Sequence, residues 1–214
     1  MKIGIFDSGI GGESIAAALS SLIKDAEIIS INDHAHMPYG TKTAANVAHL
    51  TILAIQPLIT AGCDAIIIAC NTATVSAIMT LRDNYPNIHF IGLEPMIKPA
   101  SQLTKSNTIA VLATPTTLKS TRYLTLKQQW ANGVKVIEPD CKSWAEAIEY
   151  GQSDGIMVEQ TINSLLEQKV DVIVLGCTHY HWIKQRIIDV IGDKDVSILE
   201  PSDAIARRLN ELID

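Results

Sequence analysis

One pattern occurs twice in the chain, half a chain apart, and it sets the architecture. Asp64-Ala-Ile-Ile-Ile-Ala-Cys70-Asn-Thr72 is matched 107 residues on by Asp171-Val-Ile-Val-Leu-Gly-Cys177-Thr-His179. Each copy is an acid, a short aliphatic run, a cysteine and a polar pair. Two further pairs keep nearly the same offset. Lys2-Ile-Gly-Ile-Phe-Asp7-Ser8 resembles Thr108-Ile-Ala-Val-Leu-Ala113-Thr114, and Leu93-Glu94-Pro95 recurs as Leu199-Glu200-Pro201. Three correspondences spread over 214 residues indicate a duplicated unit.

Periodicity gives the class of that unit. Aliphatic runs near 2–6, 27–31, 65–69, 88–93, 108–112, 134–138, 172–176 and 196–199 read as strands. Helical patterns cover 13–23, 43–60, 73–83, 117–130, 143–150, 155–168, 181–191 and 203–212. Short strands separated by helices make βα units and a mostly parallel sheet. Aromatics are only 5% of the residues, and aliphatic strands of this kind are buried on both faces. The expected fold is α/β: two pseudo-symmetric open, mostly parallel α/β domains with the active site in the cleft between them. The last helix is expected to cross back, so that residues 1–94 plus 203–214 form the first domain and 95–202 the second. Two crossing strands then serve as the hinge.

Composition removes several classes of function. The chain is 47% hydrophobic and 19% charged, which supports a real core and argues against disorder. Its formal charge is −6 with no lysine or arginine run, which argues against a nucleic-acid or membrane-surface partner. The chain enters a strand pattern at once, with no signal-peptide pattern, and has no apolar run of about 18 residues to cross a membrane. Four scattered cysteines are not a disulfide framework, and the expected compartment is the cytoplasm, where thiols stay reduced.

Ligands of open α/β sheets sit outside the carboxyl ends of the strands. Asp7-Ser8-Gly9-Ile-Gly11-Gly12, Pro38-Tyr39-Gly40, Cys70-Asn71-Thr72 and Cys177-Thr178-His179 all fall there. The glycine turn is neither a dinucleotide fingerprint nor a P-loop. Asp7 is placed to hydrogen-bond a substrate ammonium or a thiol. Cys70 and Cys177 each precede a helix start, where the helix dipole favours a thiolate able to act as a base. Ser8, Asn71, Thr72 and Thr178 supply short donors suited to a carboxylate, and these types also cap helices. Thr114, Thr116 and Thr117 could bind a second carboxylate or cap a helix. His179, two residues past Cys177, is a candidate acid/base partner for that thiol. Glu149 reads by default as a surface carboxylate. Cys63 and Cys141 read as packing residues. Zinc is disfavoured because the cysteines lack paired C-x₂₋₄-C spacing. A cysteine-protease reading leaves the second thiol unexplained.

Phe6-Asp7-Ser8-Gly9-Ile-Gly11-Gly12, Pro38-Tyr39-Gly40, Cys70-Asn71-Thr72-Ala73 and Gly176-Cys177-Thr178-His179-Tyr180 together resemble the signature segments of glutamate racemases, in the aspartate/glutamate racemase superfamily. They come in the family's order and span nearly the whole chain. The resemblance implies racemisation of L- and D-glutamate with no cofactor and no metal, supplying D-glutamate for peptidoglycan synthesis in a bacterium. It implies that Cys70 acts on the D-enantiomer, assisted by Asp7, and Cys177 on the L-enantiomer, assisted by His179. It raises Glu149 to a catalytic candidate beside the second cysteine. It implies substrate binding by Asp7, Ser8, Tyr39, Gly40, Asn71, Thr72, Thr117, Thr178 and His179. Glutamate is the expected small-molecule partner, and a homodimer is compatible with the family. Departures from the family pattern are His36 for arginine, Met96 for glycine, His181 for proline and a shorter C-terminus. A racemase of another amino acid or a hydantoin, and an amino-acid-binding paralogue without turnover, remain as alternatives.

Overall fold

The computed structural model of the chain describes residues 1–23 and 26–213; residues 24, 25 and 214 of the expected first domain lie outside the described residues. Among the described residues, eight strands form two parallel four-stranded sheets. The first holds β1 (Lys2–Asp7), β2 (Glu27–Asn32), β3 (Ala65–Ile68) and β4 (His89–Gly92) in the order β2-β1-β3-β4. The second holds β5 (Thr108–Ala113), β6 (Lys135–Ile137), β7 (Val172–Gly176) and β8 (Ser197–Leu199) in the order β6-β5-β7-β8. The two orders are the same, as duplication of one four-stranded unit requires.

Successive side chains of a strand point to opposite faces, and here both faces are covered. Ile3, Ile5, Ala65 and Ile67 pack on one side of the first sheet, Phe6, Ile66 and Ile68 on the other. In the second sheet Ile109, Val111, Val172 and Val174 oppose Ala110, Leu112, Ile173 and Leu175. Double coverage is why the strands read as unbroken aliphatic runs. The helices that cover them are α1 (Gly11–Leu22), α2 (Ala44–Ala54), α3 (Gln56–Thr60), α4 (Asn71–Asn84), α5 (Ile97–Leu103), α6 (Pro115–Lys119), α7 (Thr121–Trp130), α8 (Trp144–Glu149), α9 (Val158–Glu167), α10 (Lys184–Ile191) and α11 (Ser202–Ile213).

All eight expected strands form, but the helices differ in four places. The span 43–60 is two helices, because Pro57 has no N–H to continue the ladder across Ile55. The span 117–130 is also divided: α6 starts earlier, at Pro115, and α7 restarts at Ser120, whose hydroxyl accepts from Tyr123 N–H at 3.1 Å. The expected helix 181–191 begins only at Lys184, because residues 181–183 belong to the 3₁₀ turn Thr178–Ile183. Helix α5 is unforeseen, since Pro99 reads as a breaker. It falls in the first turn, where backbone N–H groups have no helical partner.

The helices that follow the last strand of each unit are exchanged. After β4, α5 sends Ile97 and Ala100 under the second sheet, against Tyr123 of α7. After β8, α11 sends Ile205 and Leu209 under the first sheet, against Ile15 and Leu19 of α1. No helix among the described residues is long and apolar enough to cross a membrane.

Candidate active site

Strand register brings the functional loops together. Phe6 pairs with Ile68, so Asp7-Ser8 and Ala69-Cys70 leave the first sheet side by side. Ala113 pairs with Gly176, so Thr114 leaves the second sheet beside Cys177. Both cysteines are buried. Cys70 is the N-cap of α4, its Sγ accepting from Ala73 N–H at 3.4 Å and from Ser8 Oγ at 3.3 Å. A helix start favours the thiolate, yet burial and then the negative charge of Asp7 win, and the Cys70 thiol is pushed up to about 12. Cys70 is therefore a thiol at neutral pH, against the expectation drawn from its helix-start position.

Cys177 heads a different arrangement. The 3₁₀ turn Thr178–Ile183 is anchored by Tyr180, whose ring packs edge-on against Trp144 at 5.5 Å and whose hydroxyl donates to Cys141 O at 3.0 Å. That anchor sets His179 Nδ1 3.9 Å from Cys177 Sγ, while His179 Nε2 lies 2.7 Å from Glu149 Oε2. Glu149, the last residue of α8, is half-buried, with its side chain turned in from solvent, and is not a surface carboxylate. Its Oε2 also accepts from Ile10 N–H at 2.9 Å, and its Oε1 lies 2.6 Å from His34 Nδ1. Burial alone raises a carboxyl group, but these bonds, led by that from His179, hold Glu149 down at about 2. Burial likewise opposes a charged His179, but its bonds with Cys177 and Glu149 outweigh it and raise His179 to about 10. The imidazolium thus sits between the second thiol and a fixed carboxylate.

Asp7 ties the units together. Its Oδ1 accepts from Gly9 N–H at 2.9 Å and its Oδ2 from Thr178 Oγ1 at 2.8 Å. It is Ser8, rather than Asp7, whose side chain reaches the Cys70 sulfur. Burial raises the Asp7 carboxyl above its usual range, partly offset by the charge on His179 and these two bonds. The glycines of this turn allow the units to meet. A Cβ on Gly9 would run into the Glu149 carboxylate and stand 2.9 Å from His179 Nε2, and one on Gly11 would lie 2.7 Å from Thr178 Cβ.

Hydroxyls close the opposite flank. Thr72 Oγ1 of the first unit is 2.8 Å from Thr114 Oγ1 and 3.4 Å from Thr117 Oγ1 of the second. Thr116 Oγ1 donates to Gly40 O at 2.8 Å and Lys42 O at 3.1 Å. Thr114 also caps α6. Tyr39 is buried with its hydroxyl on Asp33 at 2.7 Å, and His36 is bonded to the same carboxylate at 2.8 Å. Asn71 Nδ2 donates to Leu93 O at 3.2 Å, which leaves its buried Oδ1 without a partner.

A cavity of about 20 Å³ lies between the units. Of the expected site residues, Ser8, Tyr39, Gly40, Cys70, Asn71, Thr72, Cys177 and His179 line it. Asp7, Thr117, Glu149 and Thr178 are not among the lining residues: Thr117 and Glu149 bond to Thr72 and His179, which are, while Asp7 and Thr178 bond to each other. Lys142 and Glu146 also line it and were not singled out, because isolated charges near a helix start read as a solvated face. His34 was missed as well: nothing local marks it, and its partner lies 115 residues away. Cys63 and Cys141 are buried packing residues, raised chiefly by burial. Among the departures, His181 pairs with Glu200 at 3.1 Å and Met96 packs against the second core. Among the described residues, no three His, Cys, Asp or Glu side chains gather to hold a metal.

Two like α/β units that share one cavity, each contributing a thiol, define a bilobal class of α/β protein. The family model of the Asp/Glu/Hydantoin racemases matches residues 12–209. A protein named glutamate racemase from Aliarcobacter butzleri (strain RM4018) is 42% identical over 222 residues, covering 99% of this chain and 84% of that one. Another, from Ectopseudomonas mendocina (strain ymp), is 35% identical, covering 99% of this chain and 81% of its own. Among solved structures, Escherichia coli glutamate racemase in complex with L-glutamate and the activator UDP-MurNAc-ala superposes with a TM-score of 0.85 at 26% identity, covering 99% of this chain and 82% of that one. Glutamate racemase from Francisella tularensis in complex with D-glutamate does so with a TM-score of 0.79 at 32% identity, covering 99% and 80%. The chain belongs to the Asp/Glu/hydantoin racemase family, among its glutamate racemases.

Proposed function

We propose that the chain racemises glutamate without a cofactor, using Cys70 and Cys177 as its two proton-transfer groups. The observation that carries this is the pair of thiols, one from each unit, lining one cavity with unequal partners. Cys177 as a thiolate beside imidazolium His179 takes the α-proton of L-glutamate, and the bond electrons pass to the α-carbon. Cys70, held as a thiol by burial and Asp7, gives its proton to the opposite face of that carbon. That turnover leaves Cys177 as a thiol holding the α-proton and Cys70 as a thiolate, the state in which D-glutamate runs the same steps in reverse; proton exchange with solvent resets the two sulfurs for a further L-glutamate.

Such an α-proton is weakly acidic, so the carbanion-like transition state needs strong stabilisation. Ser8 and Thr72 line the cavity with hydroxyls for the α-carboxylate, supported by Thr178 and Thr117 behind them; Asn71 Oδ1 is a free acceptor for the ammonium. Donors aimed at developing charge contribute about 3–4 kcal/mol each. A cavity of about 20 Å³ has room for one water but not for glutamate. Substrate therefore enters when the units part. We take these to be domains comprising 1–94 with 203–214, and 95–202. The role that follows is supply of D-glutamate for peptidoglycan in the bacterial cytoplasm.

The test is incubation of either glutamate enantiomer in D₂O, following the α-proton by NMR and chirality by circular dichroism. Solvent deuterium should enter the α-position as optical activity decays. Cys70→Ser and Cys177→Ser should each stop racemisation. Wild-type protein showing no exchange and no loss of optical activity would refute the racemase reading. Full activity in either serine variant would refute the two-thiol mechanism.

A further inference from the structure

Glu149 receives hydrogen bonds from both units. His179 Nε2, 2.7 Å from Oε2, belongs to its own unit. Ile10 N–H, 2.9 Å from Oε2, and His34 Nδ1, 2.6 Å from Oε1, come from the first unit. His34 opens a 3₁₀ turn directly after β2, and the preceding Asp33 N–H donates to Asp7 O at 3.0 Å, so the imidazole is rooted at the same strand end as the Asp7 turn. The His34 side chain is 51% exposed, whereas Glu149 is 8% exposed. His34 therefore stands at the outer end of a continuous chain: Cys177, His179, Glu149, His34. Nothing of the kind attaches to Cys70, whose sulfur is met by Ser8 and Ala73 of its own unit.

We propose that His34 is a positioning residue for the second thiol, holding the outer oxygen of Glu149 from across the cleft so that the inner oxygen stays aimed at His179. The proposal rests on the two-thiol racemase reading and adds a coupling to it. His34 and Ile10 reach Glu149 only when the units are together, so the partner of Cys177 is completed by closure, whereas that of Cys70 is already built. Without His34, Oε1 loses its protein donor and the carboxylate turns about its terminal torsion. The Ile10 bond remains, so the effect is graded rather than total.

One-sided action has a signature that general loss of structure lacks. The equilibrium constant of racemisation is one, so any variant must lose kcat/KM equally in both directions. If only proton transfer at Cys177 is slowed, that transfer limits the rate. The enantiomer that gives its proton to Cys177 then shows a larger α-deuterium isotope effect on kcat/KM, and the other a smaller one.

The experiment compares His34→Ala and His34→Asn with wild type, using L- and D-glutamate and their α-deuterated forms. His34→Ala should lose about tenfold in kcat/KM in both directions. Its isotope effect should rise for L-glutamate and fall for D-glutamate. His34→Asn, whose amide nitrogen stands where Nδ1 stood, should recover most of the loss. The His179 Nε2–H resonance should be visible in wild type and His34→Asn but broadened by exchange in His34→Ala. A His34→Ala enzyme within twofold of wild type, isotope effects that do not diverge, or an Asn variant as slow as Ala would each overturn the proposal. If the wild type does not turn over glutamate, the racemase reading fails, yet the resonance still decides: its persistence in His34→Ala overturns the positioning role.

Discussion

Gly9→Ala is the sharpest probe of how closely the cleft must shut. The glycine is not one of those with a positive φ, so alanine meets no backbone strain at this position. What the new methyl meets is the other unit. It would stand 2.9 Å from Glu149 Cδ and 2.9 Å from His179 Nε2, and nearer still to Oε2. Carbon contacts are comfortable at about 3.5–4.0 Å, so the Asp7 turn and the Glu149–His179 pair must separate by about 0.5–1 Å. The same movement stretches Ile10 N–H to Glu149, now 2.9 Å, and Thr178 Oγ1 to Asp7, now 2.8 Å, toward the limit of hydrogen bonding. A displacement of about 1 Å in a catalytic constellation costs up to about 10²-fold in rate, or about 2.7 kcal/mol of barrier. Gly9→Ala should therefore reduce kcat/KM for L-glutamate by about ten- to a hundredfold, assayed by loss of circular dichroism. Its melting temperature should change little, because the methyl is relieved by parting the units and neither core is disturbed. Activity within twofold of wild type would show that the close approach is not needed, and would refute the reasoning.

Two further expectations concern stability. His179 is raised from 6.5 to about 10, so its contribution is complete below about pH 6.5 and is lost as pH climbs to about 10. Glu149 is lowered from 4.5 to about 2, so its contribution is complete above about pH 4.5 and is lost as pH falls to about 2. The pair supports the fold most between these, and wild-type protein should lose melting temperature from pH 6.5 to 10 more steeply than His179→Asn; equal slopes would contradict the pairing. Leu209→Ala in α11 empties a fully buried site and should cost about 2–5 kcal/mol. Hydrogen exchange should quicken first in β1 and α1 of the first unit; earlier exchange in β7 and β8 would contradict the packing described here.

The central strands β1, β3, β5 and β7 were legible because burial on both faces removes polar residues from the run. The likeness of the two sheets was legible through the repeat, but the strand order within each was not. Helix ends were not, where one residue decided them: Pro57 divides one pattern and Ser120 another. Pro99 hid α5, because a proline in a first turn and a proline that ends a helix look alike in sequence. In the site, the residues at strand ends were readable from position. Glu149 was readable only through resemblance, and His34 not at all, because the bond joining them spans 115 residues and no spacing rule reaches so far. Helix position alone argues for a Cys70 thiolate, whereas burial and the Asp7 charge push its thiol up. Its helix start is visible in sequence, whereas the burial and the Asp7 charge that outweigh it belong to the folded site.

The exchange of α5 and α11 has a consequence for what can exist apart. A chain divided at the exposed Ser106-Asn107 would give two pieces, each carrying one sheet and a helix whose apolar face fits the other piece. Alone, the first piece would leave the Ile3–Ile15 face of its sheet without α11 and hold α5 with nothing beneath it. The second would be its mirror in both respects. Mixed, each would supply the missing cover of the other. A single ancestral unit of this kind could have bridged the same gap only by trading its last helix with a twin. The present chain thus has the connectivity of a swapped dimer whose two chains have been joined end to end.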